Sequence, residues 1–164
     1  MYLPVMGMIW VGYRREEEAA RRILEDADLV DELLESDDDV TSVDLDKAWH
    51  GIHWLLTGSA GPGTEVVSSA IFGGEPLGED LGYGPGRLLS AQSVAAVAAA
   101  LQGLEPSALR QRMNPPAMDD AGVYPAIWHE TDVFDTYLAP AFDRLRTFYS
   151  AAARSGEAVI QTVC

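Results

Sequence analysis

Asp46-Lys47-Ala48-Trp49-His50-Gly51-Ile52-His53-Trp54-Leu55-Leu56-Thr57-Gly58 reads as most of one helix and its stop. Asp44, just upstream, suits the N-cap, where a carboxylate accepts from the free N–H groups of the first turn. Gly58 suits the left-handed residue that closes a helix. At about 100° per residue, Trp49, Ile52, His53 and Leu56 share one face, and His50, Trp54 and Thr57 share the adjoining one.

Two readings of this helix stand side by side. In the first, Trp49, Ile52 and Leu56 are core, and His53 hydrogen-bonds a backbone carbonyl or a carboxylate at the core's edge. Asp46 and Lys47 then tie the helix start to a neighbour. In the second, His53 lies at the floor of a pocket with Asp46 or Lys47 at its rim, since histidine titrates near neutrality and suits acid–base work or ligand binding. One histidine without a paired base or nucleophile is not a mechanism. His50 and His53 are one helical turn apart, and His129 is the only other histidine. A zinc site needs three or four ligands, so neither a metal nor a cofactor is expected.

Upstream, Met6 to Tyr13 is a short run rich in Ile, Trp, Val and Tyr, which favours a buried strand. Arg14 to Ser36 reads as a helix with Ala20, Ile23, Ala27, Val30 and Leu34 on one stripe, closed by the acidic loop Asp37-Asp38-Asp39. Downstream, Ser59 to Thr64 is a Gly/Pro loop and Glu65 to Phe72 a short helix. Gly73 to Gly86 holds six glycines and two prolines and is expected as an extended loop. Arg87-Leu88-Leu89 is a short strand. Ser90 caps a helix from Ala91 to Gln102, and Glu105-Pro106 starts another that ends before Asn114-Pro115-Pro116. Asp132 to Arg154 is helical, with Pro140 either kinking it or starting its main part. Glu157 to Val163 is a final strand. These elements add up to one α+β domain: a small mixed sheet of about three or more short strands covered by about five or six helices. The first and last strands are expected to pair at its centre.

Composition narrows the function classes. The 164 residues are 48% apolar and 23% charged, ordinary for one globular domain. Cys164 is the single cysteine, so no disulfide forms within the chain. No apolar run approaches the roughly 20 residues that cross a bilayer. Met1 to Val11 lacks the basic start and cleavage site of a signal peptide. The expectation is a cytoplasmic protein. The net charge of −15 disfavours nucleic acid and anionic membranes as partners. From Glu25 to Asp46 there are eleven acidic residues and no Lys or Arg. That run is either a solvated face that keeps the protein soluble, or a docking surface for a basic protein partner or a nucleic-acid mimic.

The glycine segment does not match the phosphate-binding loop or the dinucleotide fingerprint. Gly82, Gly84 and Gly86 are read as permitting positive φ or close packing beneath Tyr83. Arg87, isolated in an acidic chain, is expected to pair with an internal carboxylate, with an anionic ligand as the alternative. No G-x-S-x-G elbow is present.

The 46–58 stretch resembles the D-K-x-W-x-x-[IL]-H-x-x-L-T-G signature of the YfbM-like family of uncharacterised bacterial proteins. Met6-Gly7-Met8 resembles that family's start, which leaves residues 1–5 as an N-terminal extension of a single domain. Leu81-Gly82-Tyr83-Gly84-Pro85 with Arg87 resembles its Gly-rich segment. The resemblance implies an α+β fold and a bacterial cytoplasmic protein. It fixes a histidine at 53 and leaves 50 free. It implies no established activity, so no catalytic residue is assigned.

Three functions follow as expectations. One is a non-enzymatic binding or accessory module, immunity-like in kind, that recruits a basic protein through its acidic surface. Another is an enzyme or small-ligand receptor with a binding site built from Asp46, Lys47, Trp49, His53, Tyr83 and Arg87. It requires the glycine segment to fold back over the 46–58 helix. The last is a nucleic-acid mimic with carboxylates spaced like phosphates.

Overall fold

Five strands form one sheet in the computed structural model, which describes residues 7–36 and 38–164. They are β1 (Trp10–Arg15), β2 (Ser42–Asp44), β3 (Glu75–Asp80), β4 (Pro85–Leu89) and β5 (Ala158–Val163), in the spatial order β2-β1-β5-β4-β3. The first and last strands do pair, Gly12 opposite Gln161, and β5 is the central strand. The sheet expected to be mixed is antiparallel at every pairing. A tight turn joins β3 to β4, and β5 runs opposite to both its neighbours, so no parallel crossover is needed. Met6, residues 1–5 and Asp37 lie outside the described residues.

Eight helices are described: α1 (Glu17–Leu24), α2 (Ala27–Leu34), α3 (Trp49–Thr57), α4 (Ser69–Phe72), α5 (Ala91–Gln102), α6 (Pro106–Arg112), α7 (Pro115–Asp120) and α8 (Ala139–Arg154). The chain is a single α+β domain. One face of the sheet, with Tyr13, Leu88, Ala158 and Ile160, meets Ala20 and Leu24 of α1 and Val30 and Leu33 of α2. The other, with Trp10, Leu89 and Val159, meets the larger helical layer. Covered on both faces, β5 is buried over five of its six residues. Gln161 and Thr162 are its buried polar residues; the Thr162 hydroxyl donates to the Val11 carbonyl, and Gln161 reaches across to the helices. The Gln161 side chain accepts from the Trp10 indole at 3.2 Å and donates to the Ser69 and Gly73 carbonyls, tying the sheet to α4. A buried amide with every partner met costs little.

Four differences from the sequence reading have local causes. The helix expected over 14–36 is broken, because Asp26 turns extended (φ −126°) and its carboxylate accepts the Asp28 N–H at 2.9 Å. Asp competes for backbone donors better than it continues a helix. The helix expected from Asp44 starts at Trp49: Asp44 pairs with Val11 in β2, and Asp46 takes a left-handed φ of 50°. The glycine segment expected as a loop is the β3–β4 hairpin, with a register shift between Leu77 and Asp80. Asn114-Pro115-Pro116, expected only to end a helix, starts α7: Asn114 Oδ1 accepts the Ala117 N–H, and proline fits the first helical turn. A π-helical turn, Phe134–Leu138, leads into α8, and Pro140 sits in that helix's first turn. Gly58 has φ 76°, the left-handed closure expected of it.

Candidate functional site

α3 carries the signature residues, and its packing settles what they can do. Trp49 is 4% exposed, and its indole donates to the Met8 carbonyl at 2.8 Å. The ring stacks on His50 at 4.8 Å between centroids. His50 Nδ1 accepts the Tyr124 N–H at 2.9 Å while Nε2 faces the Ala60 carbonyl at 2.8 Å. Since a carbonyl only accepts, Nε2 carries the proton and the ring is neutral. His53 is fully buried: Nε2 donates to the Gly61 carbonyl at 2.8 Å, Phe72 meets it edge-on at 4.5 Å, and Nδ1 is buried without a hydrogen bond among the described residues. Burial lowers both histidines' pKa, with the neighbouring ring a smaller cause for His53. His50 is thus bonded to backbone through both ring nitrogens and His53 through one, and burial favours the neutral form of each.

Asp46 and Lys47 sit at the entrance to α3 and meet a residue that the sequence reading did not single out. Tyr137 donates to Asp46 Oδ2 at 2.8 Å and accepts the Lys47 N–H at 3.0 Å. Burial and the bond to that carboxylate push the Tyr137 phenol up to about 12. The contact anchors the π-helical turn to the β2–α3 connection.

Arg87 and Tyr83 are placed by the hairpin. Arg87 stands opposite Gln161 on β5 and Pro76 on β3. It is half-buried, and the carboxylate partner expected for it is not found among the described residues. Tyr83, 51% exposed, lies in the β3–β4 turn. The hairpin seats on α1: an added Cβ at Gly78 meets the Leu24 carbonyl oxygen at 2.2 Å, and one at Gly86 meets Leu24 Cδ2 at 2.6 Å. The structure thus joins Asp46, Lys47 and Trp49 at the start of α3 and seals His53 one turn deeper. It puts Tyr83 and Arg87 on a separate element.

Acidic side chains gather where this hairpin faces α2. A groove of about 320 Å³ runs between them. Leu24, Val30, Leu34 and Leu81 line its floor, and Glu25, Asp31, Glu79 and Asp80 line its walls. All four carboxylates are on exposed residues, and none is in an ion pair among the described residues.

A family model described as "Domain of unknown function (DUF1877)" matches residues 6–162. The chain belongs to this family. A solved structure, a protein of unknown function YfbM from Escherichia coli, is similar at TM-score 0.74 and 23% identity over 96% of this chain and 100% of that one. At that identity the likeness speaks for the fold. No curated protein matches the chain.

In this DUF1877 member, no described group of three or more His, Cys, Asp or Glu is arranged to hold a metal ion. No helix among the described residues is long and apolar enough to cross a membrane. Partial burial, then the Asp44 charge, raises the Cys164 thiol, which argues against a reactive thiolate. Sequence reasoning assigned no site role to Tyr124, Tyr137, Glu79 or Asp80. The two tyrosines act through contacts distant in sequence, whereas Asp80 bonds Gly82 and Gly84 within its own turn. The one available signal for the acidic pair was Glu79-Asp80 directly after Gly78, which the loop reading hid.

Proposed function

We propose that this DUF1877 protein is a non-enzymatic binding or accessory module, immunity-like in kind, that recruits a basic protein partner through its acidic face. The observation that carries it is that Asp28, Asp31 and Glu32 on α2 and Glu79 and Asp80 on the hairpin are in no ion pair among the described residues, Glu75 alone of the hairpin's carboxylates being paired, with Arg21. Asp28, Asp31 and Glu32 are exposed on α2 and Glu35 at its C-cap, while Val30 and Leu33 hold the helix to the sheet. Such a field speeds encounter with a cation-rich surface and orients it. A cytoplasmic setting belongs to the same proposal, supported by a single cysteine that leaves no disulfide within the chain.

The test is a pull-down at low and high salt, repeated with an Asp28→Asn, Asp31→Asn, Glu32→Gln variant. The expected result is a basic partner whose retention falls with ionic strength and with the substitutions. Partners indifferent to both, or no partner at all, sink the proposal.

A further inference from the structure

The groove between α2 and the β3–β4 hairpin has features that a merely solvated acidic face lacks. Its floor is apolar and drawn from three elements: Leu24 from α1, Val30 and Leu34 from α2, and Leu81 from the hairpin. Val30 and Leu24 are already in the core, whereas Leu34 and Leu81 are half-buried and present apolar surface to the opening. The hairpin can close down here because Gly78 has no side chain and a left-handed φ of 81°, directly over the last carbonyl of α1. Any Cβ there would lift the hairpin off Leu24.

The walls are of one sign. Glu25 and Asp31 stand on one side, Glu79 and Asp80 on the other. Asp80 also accepts the Gly82 and Gly84 N–H groups through Oδ1, which holds its carboxylate in place without neutralising it. An apolar trough between like charges is complementary to a segment with an apolar ridge flanked by cations.

We infer that this groove takes an amphipathic basic helix of a partner protein, with an apolar side chain seated on Leu24, Val30, Leu34 and Leu81 and flanking Lys or Arg meeting Glu25, Asp31, Glu79 and Asp80. The inference rests on the binding function proposed above and names that partner's chemistry. A helix fits better than an added strand. Pro76 has no N–H to offer from β3, and the register shift between Leu77 and Asp80 breaks the edge that a strand would need.

Three labelled synthetic peptides of equal length test it by fluorescence anisotropy against the full chain at low salt. One carries Lys with Leu at helical spacing. Its companions replace each Leu by Ser, or each Lys by Glu. The Lys/Leu peptide should bind at least about tenfold more tightly than the Lys/Ser peptide, the size expected from burying one leucine. The Glu/Leu peptide should not bind. Asp31→Lys with Glu79→Lys, both exposed and checked for native circular dichroism, should weaken the Lys/Leu peptide by about tenfold or more. Asp120→Lys with Glu130→Lys, outside the groove, should change it less than about twofold.

Equal binding of the Lys/Leu and Lys/Ser peptides, both salt-sensitive, overturns the groove and leaves the broader acidic-surface reading intact. Leucine-dependent binding that ignores Asp31→Lys with Glu79→Lys also overturns the groove, because the site is then elsewhere. No binding by either cationic peptide overturns both.

Discussion

His53 donates from Nε2 to the Gly61 carbonyl at 2.8 Å and keeps its second nitrogen buried without a hydrogen bond among the described residues, so its neutral form is the one the fold accommodates. Protonation would place a charge beside Phe72 with no acceptor for the new N–H. Burial accordingly lowers its pKa from 6.5. Because the unfolded chain then binds the proton more readily, stability rises with pH across the gap and is lost as pH falls below 6.5 towards the lower folded value. Thermal melts across that range should fall more steeply for the native chain than for His53→Gln. The surface carboxylates are common to both proteins and cancel in the comparison. Equal slopes would show that His53 does not enter the fold as a neutral ring.

Gly58 and Gly78 separate two costs of adding a methyl group. Both have positive φ, 76° and 81°, but nothing lies within 4 Å of a Cβ at Gly58, whereas the Leu24 carbonyl lies at 2.2 Å from one at Gly78. Gly58→Ala should cost about 1–2 kcal/mol, the left-handed penalty alone. Gly78→Ala should cost more, since the hairpin must also move. Urea denaturation orders them, and the reverse order would show that the hairpin does not rest on α1.

Asp26 divides α1 from α2 as an N-cap, and its worth is separable from its charge. Asp26→Ala should destabilise the protein by about 1 kcal/mol, and Asp26→Ser should recover most of that while remaining uncharged. A serine variant as weak as the alanine one would assign the effect to charge instead.

Tyr137 joins two elements through one hydroxyl, between the Lys47 N–H and the Asp46 carboxylate. Tyr137→Phe removes a bond to a charged acceptor and should cost about 1.5–3 kcal/mol, with amide exchange rising at Lys47. Unchanged protection at Lys47 would mean that its N–H does not depend on the phenol.

Arg87 offers the opposite expectation. With no carboxylate partner among the described residues, Arg87→Gln should change stability by less than about 0.5 kcal/mol. A larger loss in chemical denaturation would reveal a carboxylate partner.

Local chemistry made much of this protein legible. Trp49, Ile52 and Leu56 at helical spacing, Gly58 as a left-handed stop, Ser90 as a cap accepting from the Ser93 N–H and the apolar run of β5 each depend on a few neighbouring residues, and the structure keeps them. The 46–58 signature pointed to the family through residues contiguous in sequence. What only the tertiary structure decided depends on partners far apart along the chain. Gly73 to Gly86 reads as a loop by composition and becomes a hairpin because β5 supplies hydrogen bonds to β4 and Leu24 supplies a surface that glycine alone can approach. His53 reads first as a core-edge histidine and second as a pocket floor, and the choice falls to Gly61 and Phe72, which close over it. The acidic groove needs α2 and β3 side by side, and those stretches lie more than forty residues apart. Periodicity and capping are short-range and leave a mark in sequence; burial and charge juxtaposition are properties of the folded arrangement.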